Sequence, residues 1–104
     1  MNFNNVNASA IANIYFDGKV ISHSLTDDSG ARITLGLIYP RDYHFNTSSP
    51  EKMEIISGSC NVTLDGESIN KTYTGGEYFE VPGDSGFSIT VREGICQYVC
   101  TFLA

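Results

Sequence analysis

Residues 75–87 read "GGEYFEVPGDSGF". Within them "EYFEV" (77–81) has the aromatic and β-branched content of a short strand. A glycine pair precedes it and "PGDSG" follows; these are turn residues, and Pro82 lacks the amide hydrogen that a central strand needs. A second alternating run, "FSITV" (87–91), starts at Phe87. The same alternation of short strand and turn extends outward in both directions. "KVISHSL" (19–25), "ARITLGLIY" (31–39), "KMEIIS" (52–57), "CNVTLD" (60–65), "SINKTY" (68–73) and "CQYVCTFL" (96–103) all have period two. Between them lie "DDSG", "NTSSP", "SG", "DG", "TGG" and "REG". About eight strands at intervals of roughly ten residues predict an all-β sandwich or barrel. Neither an amphipathic helix nor an internal repeat interrupts the pattern. Residues 1–13 are polar and aperiodic and read as a flexible tail, leaving residues 14–104 as the folded domain.

At 104 residues the chain is one domain with one core. Its formal charge is −6, with only six Lys plus Arg, so a nucleic-acid polymer is not an expected partner: phosphate backbones are held by clustered cations. A small anion held by one or two local cations is compatible with this balance. The longest apolar runs fall far short of the roughly 20 residues of a membrane helix, and no membrane partner is expected. "MNFNNVNASAIAN" lacks the basic start and apolar core of an export signal, which makes the cytoplasm the expected compartment.

Parity assigns faces. Arg32, Thr34, Gly36 and Ile38 share one side of their strand, opposite Ile33, Leu35 and Leu37. Continued through Pro40, the parity would add Asp42 and His44 to the Arg32 side. Near the C-terminus, Cys96, Tyr98, Cys100 and Phe102 share a face. Cys96 and Cys100 lie four residues apart on one strand, about 13 Å between Cα atoms, too far for a disulfide. All three cysteines are expected as free thiols. Glu51 and Glu54 have opposite parity, so one should face outward.

The spacing of glycines, proline and glutamate resembles the paired signatures of the cupin barrels. Gly36, five residues, Asp42-Tyr43-His44, then Glu51, six residues and Gly58 follow the first signature; Gly76, five residues, Pro82 and then Phe87 follow the second. The resemblance implies a single-domain cupin of the jelly-roll β-barrel type. Where cupin metal sites carry three histidines, only His44 is an imidazole here. Asp42, His44 and Glu51 could nominally form a carboxylate-rich triad, but a benzene ring at Phe87 replaces the remaining ligand. No metal or other cofactor is expected.

A closer resemblance covers residues 15 to 104. "YFDGKVISHSL", "ARITLGLIYPRDYHF", "SPEKMEIISGSCNV", "GGEYFEVPGDSGFSI" and "CQYVCTFL" are similar, in order, to segments of the short bacterial pyrimidine/purine nucleoside phosphorylases. Asp42 stands where that family usually has Glu, and His44 is not part of its pattern. The resemblance implies a pentosyltransferase that uses inorganic phosphate as co-substrate, giving free base and α-D-ribose 1-phosphate from purine or pyrimidine nucleosides.

Such chemistry passes through an oxocarbenium-like state. It needs a cation for phosphate, an acid for the ribose hydroxyls or the leaving base, and an aromatic surface for the base. Arg32, with Lys19 beside it in the family-like segments, is the candidate phosphate group. Glu51, Asp42 and His44 are the candidate catalytic residues. Tyr43, Phe45, Phe79, Phe87 and Tyr98 are candidates for gripping the base, since stacking tolerates any base. A non-catalytic cupin that binds a nucleoside or sugar fits the same residues. A metal-dependent dioxygenase or isomerase is opposed by Phe87 and Asp42. Cupin barrels frequently pair through edge strands, so a homodimer is expected.

Overall fold

In the computed structural model, which describes residues 1–103, the opening stretch is a turn, a strand and the entry to a second strand. Two short strands come first, β1 (Asn7–Ala8) and β2 (Asn13–Tyr15), then a 3-10 turn at Phe16–Gly18. They are followed by β3 (Val20–Thr26), β4 (Arg32–Ile38), β5 (Arg41–Asn46), β6 (Glu51–Ser57) and β7 (Ser59–Leu64). The chain ends with β8 (Lys71–Thr74), β9 (Tyr78–Val81), β10 (Gly86–Val91) and β11 (Cys96–Phe102). All pairings are antiparallel. One sheet runs β1-β3-β4-β11-β6-β9, with β2 also on β3; the other runs β5-β10-β7-β8. Among the described residues no helix is long and apolar enough to cross a membrane.

The sheets face each other across a core supplied by inward-facing residues of β3–β7 and β9–β11. From the larger sheet come Val20, Ile38, Met53, Ile55, Phe79, Val81, Cys96 and Cys100; from the smaller, Tyr43, Cys60, Val62, Phe87, Ile89 and Val91. The eight expected strands all form, most within a residue or two of their expected ends; β8 starts three residues later. β5 was not expected. It forms because Arg41–Asn46 pairs with β10 along its whole length, from Arg41↔Val91 to Asn46↔Gly86.

β5 also corrects the parity expected through Pro40. Between Ile38 and Arg41 the chain leaves one sheet and enters the other, and two residues outside the ladder are enough to shift which side chains face inward. Tyr43 and Phe45 therefore face the interior, and Asp42 and His44 face outward. Residues 1–13, read from sequence as a tail, run along the larger sheet. Asn7 and Ala8 pair with Thr26 and Leu25, while Phe3 and Val6 pack on Leu25, Ile33 and Val99 on its outer face.

The cupin-spaced glycines have distinct local reasons. Gly58 turns the chain between β6 and β7 with φ +83, and a Cβ there would lie 2.6 Å from the carbonyl oxygen of Ile95. Gly36 has ordinary φ but lies under the Tyr98 ring, where any Cβ would collide with it.

Candidate active site

One end of the space between the sheets is left open, forming a cavity of about 440 Å³. Its walls follow from strand register. β11 pairs with β4 so that Cys100 faces Thr34 and Tyr98 faces Gly36; extended one step, Phe102 lies beside Arg32. On its other side β11 pairs with β6, putting Phe102 beside Glu51 and Cys100 beside Met53. Arg32, Phe102 and Glu51 thus form one cross-strand row on the inner face, with Thr34, Cys100 and Met53 in the next row down. Two interstrand steps separate the Cα atoms of Arg32 and Glu51, about 10 Å. The smaller sheet closes the far wall with Phe45 and Phe87, whose rings stack 5.6 Å apart at 27°. Asn46, Ser48 and Ser49 line the cavity from the end of β5 and the loop that follows, and Tyr15 lines it from β2.

Arg32 keeps its head at the exposed mouth, its guanidinium carbon 4.8 Å from the centre of the Phe102 ring. Glu51 is half-buried; burial raises its pKa above the ordinary carboxylate value, and a 3.6 Å hydrogen bond from the Cys100 thiol partly offsets that rise. Burial, and then the neighbouring Glu51 charge, push the Cys100 thiol up, so it stays protonated and donates at neutral pH. Deeper in the cavity, burial raises the Tyr98 hydroxyl to about 12, against the opposing influence of the Ser22 and Thr34 hydroxyls beside it. The site therefore offers one cation, one carboxylate whose protonation is tuned by burial, several neutral hydroxyls and a set of apolar rings.

The structure brings Arg32, Glu51, Phe45, Phe87 and Tyr98 together around this cavity. Tyr43 and Phe79 lie in the core beneath it: Tyr43 donates its hydroxyl to the Tyr39 carbonyl, and Phe79 packs its ring against Tyr73 and Phe87. Lys19 is exposed and lies off the cavity wall. Asp42 accepts a hydrogen bond from Thr90 on the outer face of the smaller sheet. His44 pairs there with Asp65 at 3.0 Å, both side chains more than two-fifths exposed. With Asp42 and His44 outside and Glu51 inside, the nominal triad does not assemble. Among the described residues no three His, Cys, Asp or Glu are grouped to hold a metal ion. Glu54 stands on the face of β6 opposite Glu51. The three cysteines are free thiols.

Several lining residues were not among the sequence candidates: Ser22, Thr34, Asn46, Ser48, Ser49, Cys100 and Phe102. Thr34 shares the Arg32 face, and Cys100 and Phe102 share the Tyr98 face, so period two carried a signal for these three. The loop serines had none, since only the closure of the two sheets brings that loop to the mouth.

Two facing antiparallel sheets with a cavity of about 440 Å³ open at one end define a small cupin. A cupin-superfamily protein from Desulfitobacterium hafniense has the same fold, with a TM-score of 0.67 over 81% of this chain and 76% of that one, at 15% identity. The chain belongs to the pyrimidine/purine nucleoside phosphorylase family, whose model matches residues 10–102. The pyrimidine/purine nucleoside phosphorylase of Methylobacillus flagellatus is 52% identical over 100 residues, covering 96% of each chain. A structure from Acinetobacter, described as a protein of unknown function, is 38% identical with a TM-score of 0.94 over 98% of both chains.

Proposed function

We propose that the protein catalyses metal-independent phosphorolysis of purine and pyrimidine nucleosides. The observation that carries this reading is the cross-strand row of Arg32, Phe102 and Glu51 at the mouth of an aromatic-walled cavity. Inorganic phosphate binds the Arg32 guanidinium, with hydroxyl donors from Ser48 and Ser49. Its charge, unwelcome on a chain of net charge −6, is accepted at this one cationic point. Ionised Glu51 accepts hydrogen bonds from the ribose hydroxyls and places a negative charge near the sugar as positive charge develops at C1′. A phosphate oxygen forms the new bond to C1′. The glycosidic C–N bond breaks with its electron pair moving to the base, and the proton formerly on hydrogen phosphate ends on the base. Base and ribose 1-phosphate are the products. Phe45 and Phe87 hold the base by its faces and exclude water. Asp42, His44 and Lys19 take no direct part. No step uses a metal ion, and among the described residues no three His, Cys, Asp or Glu are grouped to hold one.

Incubation with uridine, adenosine or guanosine, with and without phosphate, tests the reading. Release of base and ribose 1-phosphate only when phosphate is present is the expected result. Base release independent of phosphate, or nucleoside binding without turnover, overturns it, the latter in favour of a non-catalytic binding cupin. Full activity after exhaustive chelation is expected; a stoichiometric metal whose removal abolishes turnover contradicts metal independence. The same proposal includes a cytoplasmic homodimer, for which a monomeric mass by light scattering is the opposing result.

A further inference from the structure

The inner end of the cavity has a composition of its own. Register places Ser22, Gly36 and Tyr98 in one row across β3, β4 and β11, with Thr34 in the adjacent row. Because Gly36 has no side chain, the Tyr98 ring lies across it and carries its hydroxyl toward Ser22 and Thr34. Ser22 is 3% exposed, one of two buried polar residues among those the structure describes. Gly36 is four residues from Arg32, so this end lies about 13 Å along the strand from the mouth. Among the described residues the charged and amide side chains that line the cavity, Arg32, Glu51 and Asn46, come from the mouth row and the end of β5. The nearby Asn13 amide, off the cavity wall, already donates to Ser22 at 3.2 Å and to Ser24 at 2.9 Å.

A hydroxyl is both donor and acceptor, and its hydrogen rotates to suit the partner. An amide or carboxylate presents a fixed pattern and discriminates, because a mismatched polar group is left buried without a partner. Resting on the phosphorylase reading, we infer that the Ser22–Thr34–Tyr98 hydroxyl cluster receives the hydrogen-bonding edge of the nucleobase, and that its rotatable hydroxyls let one pocket accept both carbonyl-bearing and amino-bearing bases. Phosphate at Arg32 and the base edge at Tyr98 then occupy opposite ends, as in-line displacement at C1′ requires.

The test compares kcat/KM for uridine and cytidine, which are of nearly equal size but opposite hydrogen-bonding sense at position 4, and for inosine and adenosine likewise. In the unaltered protein each pair should agree within about tenfold. Tyr98→Phe and Thr34→Val should each lower kcat/KM for all four nucleosides by about tenfold, with the phosphate KM unchanged. Thr34→Asn, which introduces a fixed pattern, should split the uridine/cytidine ratio by about tenfold or more. Folded variants that keep every kcat/KM within about twofold, or that alter only the phosphate KM, overturn the inference while leaving the phosphorylase reading intact. If the unaltered protein releases no base, the phosphorylase reading has failed instead. Calorimetric binding of uridine and cytidine then decides the inference alone: about tenfold weaker binding by Tyr98→Phe supports it and unchanged binding overturns it. Should Tyr98→Phe fail to fold, Thr34→Val carries the same comparison.

Discussion

Arg32→Ala separates the phosphate end of the pocket from the rest. Among the described residues the guanidinium is the only cationic group lining the cavity, and it sits at the exposed mouth over the Phe102 ring. A hydrogen bond to a charged partner contributes about 1.5–3 kcal/mol, and the lower half of that range applies to a solvated position. At about 1.4 kcal/mol per factor of ten, kcat/KM for phosphate should fall roughly ten- to thirtyfold. The nucleoside KM at saturating phosphate should change by less than about threefold. Arg32→Lys, which keeps the charge but loses the planar fork, should fall in between. Stability should drop by only about 1 kcal/mol, the contribution of one exposed cation–π contact, so denaturation curves distinguish a damaged site from a damaged fold. Initial rates over a phosphate titration, coupled to detection of free base, provide the assay. Equal rises in the phosphate and nucleoside KM, or no change in either, would refute the assignment of the anion to Arg32.

Glu51→Gln should remove the acid limb of the kcat/KM profile, because the proposed mechanism uses ionised Glu51 and burial holds its pKa above the ordinary 4.5. Stability moves the opposite way. Folded Glu51 retains its proton to higher pH than the unfolded chain, so its contribution is greatest below 4.5 and is lost as pH rises toward its raised value; urea denaturation of the Gln variant should lack that decline. Gly36→Ala forces the Tyr98 ring into the cavity. It should destabilise by about 1–3 kcal/mol and raise the nucleoside KM, as read by denaturation and steady-state kinetics. Asp42→Ala and His44→Ala remove only outer-face contacts, including an exposed His44–Asp65 pair. Each should change stability by less than about 1 kcal/mol and leave kcat/KM within about twofold.

Much of the molecule could be read from the chain because antiparallel strands solvated on one face write their burial at every second residue. The face shared by Cys96, Tyr98, Cys100 and Phe102 is the inner face of β11, and that of Arg32, Thr34, Gly36 and Ile38 is the inner face of β4. Parity is local, however, and holds only while the chain stays in one ladder. At Tyr39–Pro40 the chain changes sheets, and the phase that pointed to Asp42 and His44 moved by one residue to Tyr43 and Phe45. Nor does parity reveal depth along a strand. Phe79 and Tyr43 face inward as Phe87 and Phe45 do, but they lie among core side chains below the cavity rather than on its wall. The N-terminal Phe3 and Val6 were illegible for a different reason: isolated apolar residues in a polar segment have no period.

Phe87 stands where the cupin spacing places an imidazole, and among the described residues no three His, Cys, Asp or Glu are grouped to hold a metal ion. An imidazole at that place would need partners on neighbouring strands, and the outward turn of His44 and Asp42 removes the two from β5 in one step. What remains inside is a ring stacked on Phe45 and meeting Phe79 edge-on, closing the cavity floor on the side of the smaller sheet. Among the described residues the larger sheet then carries the ionisable groups that line the cavity, most of them in rows set by the ladders of β11 with β4 and β6, with Tyr15 added from β2. One sheet therefore supplies polarity and the other supplies the aromatic wall. A flat base with one polar edge, joined to a hydroxylated sugar, has the same division of surfaces.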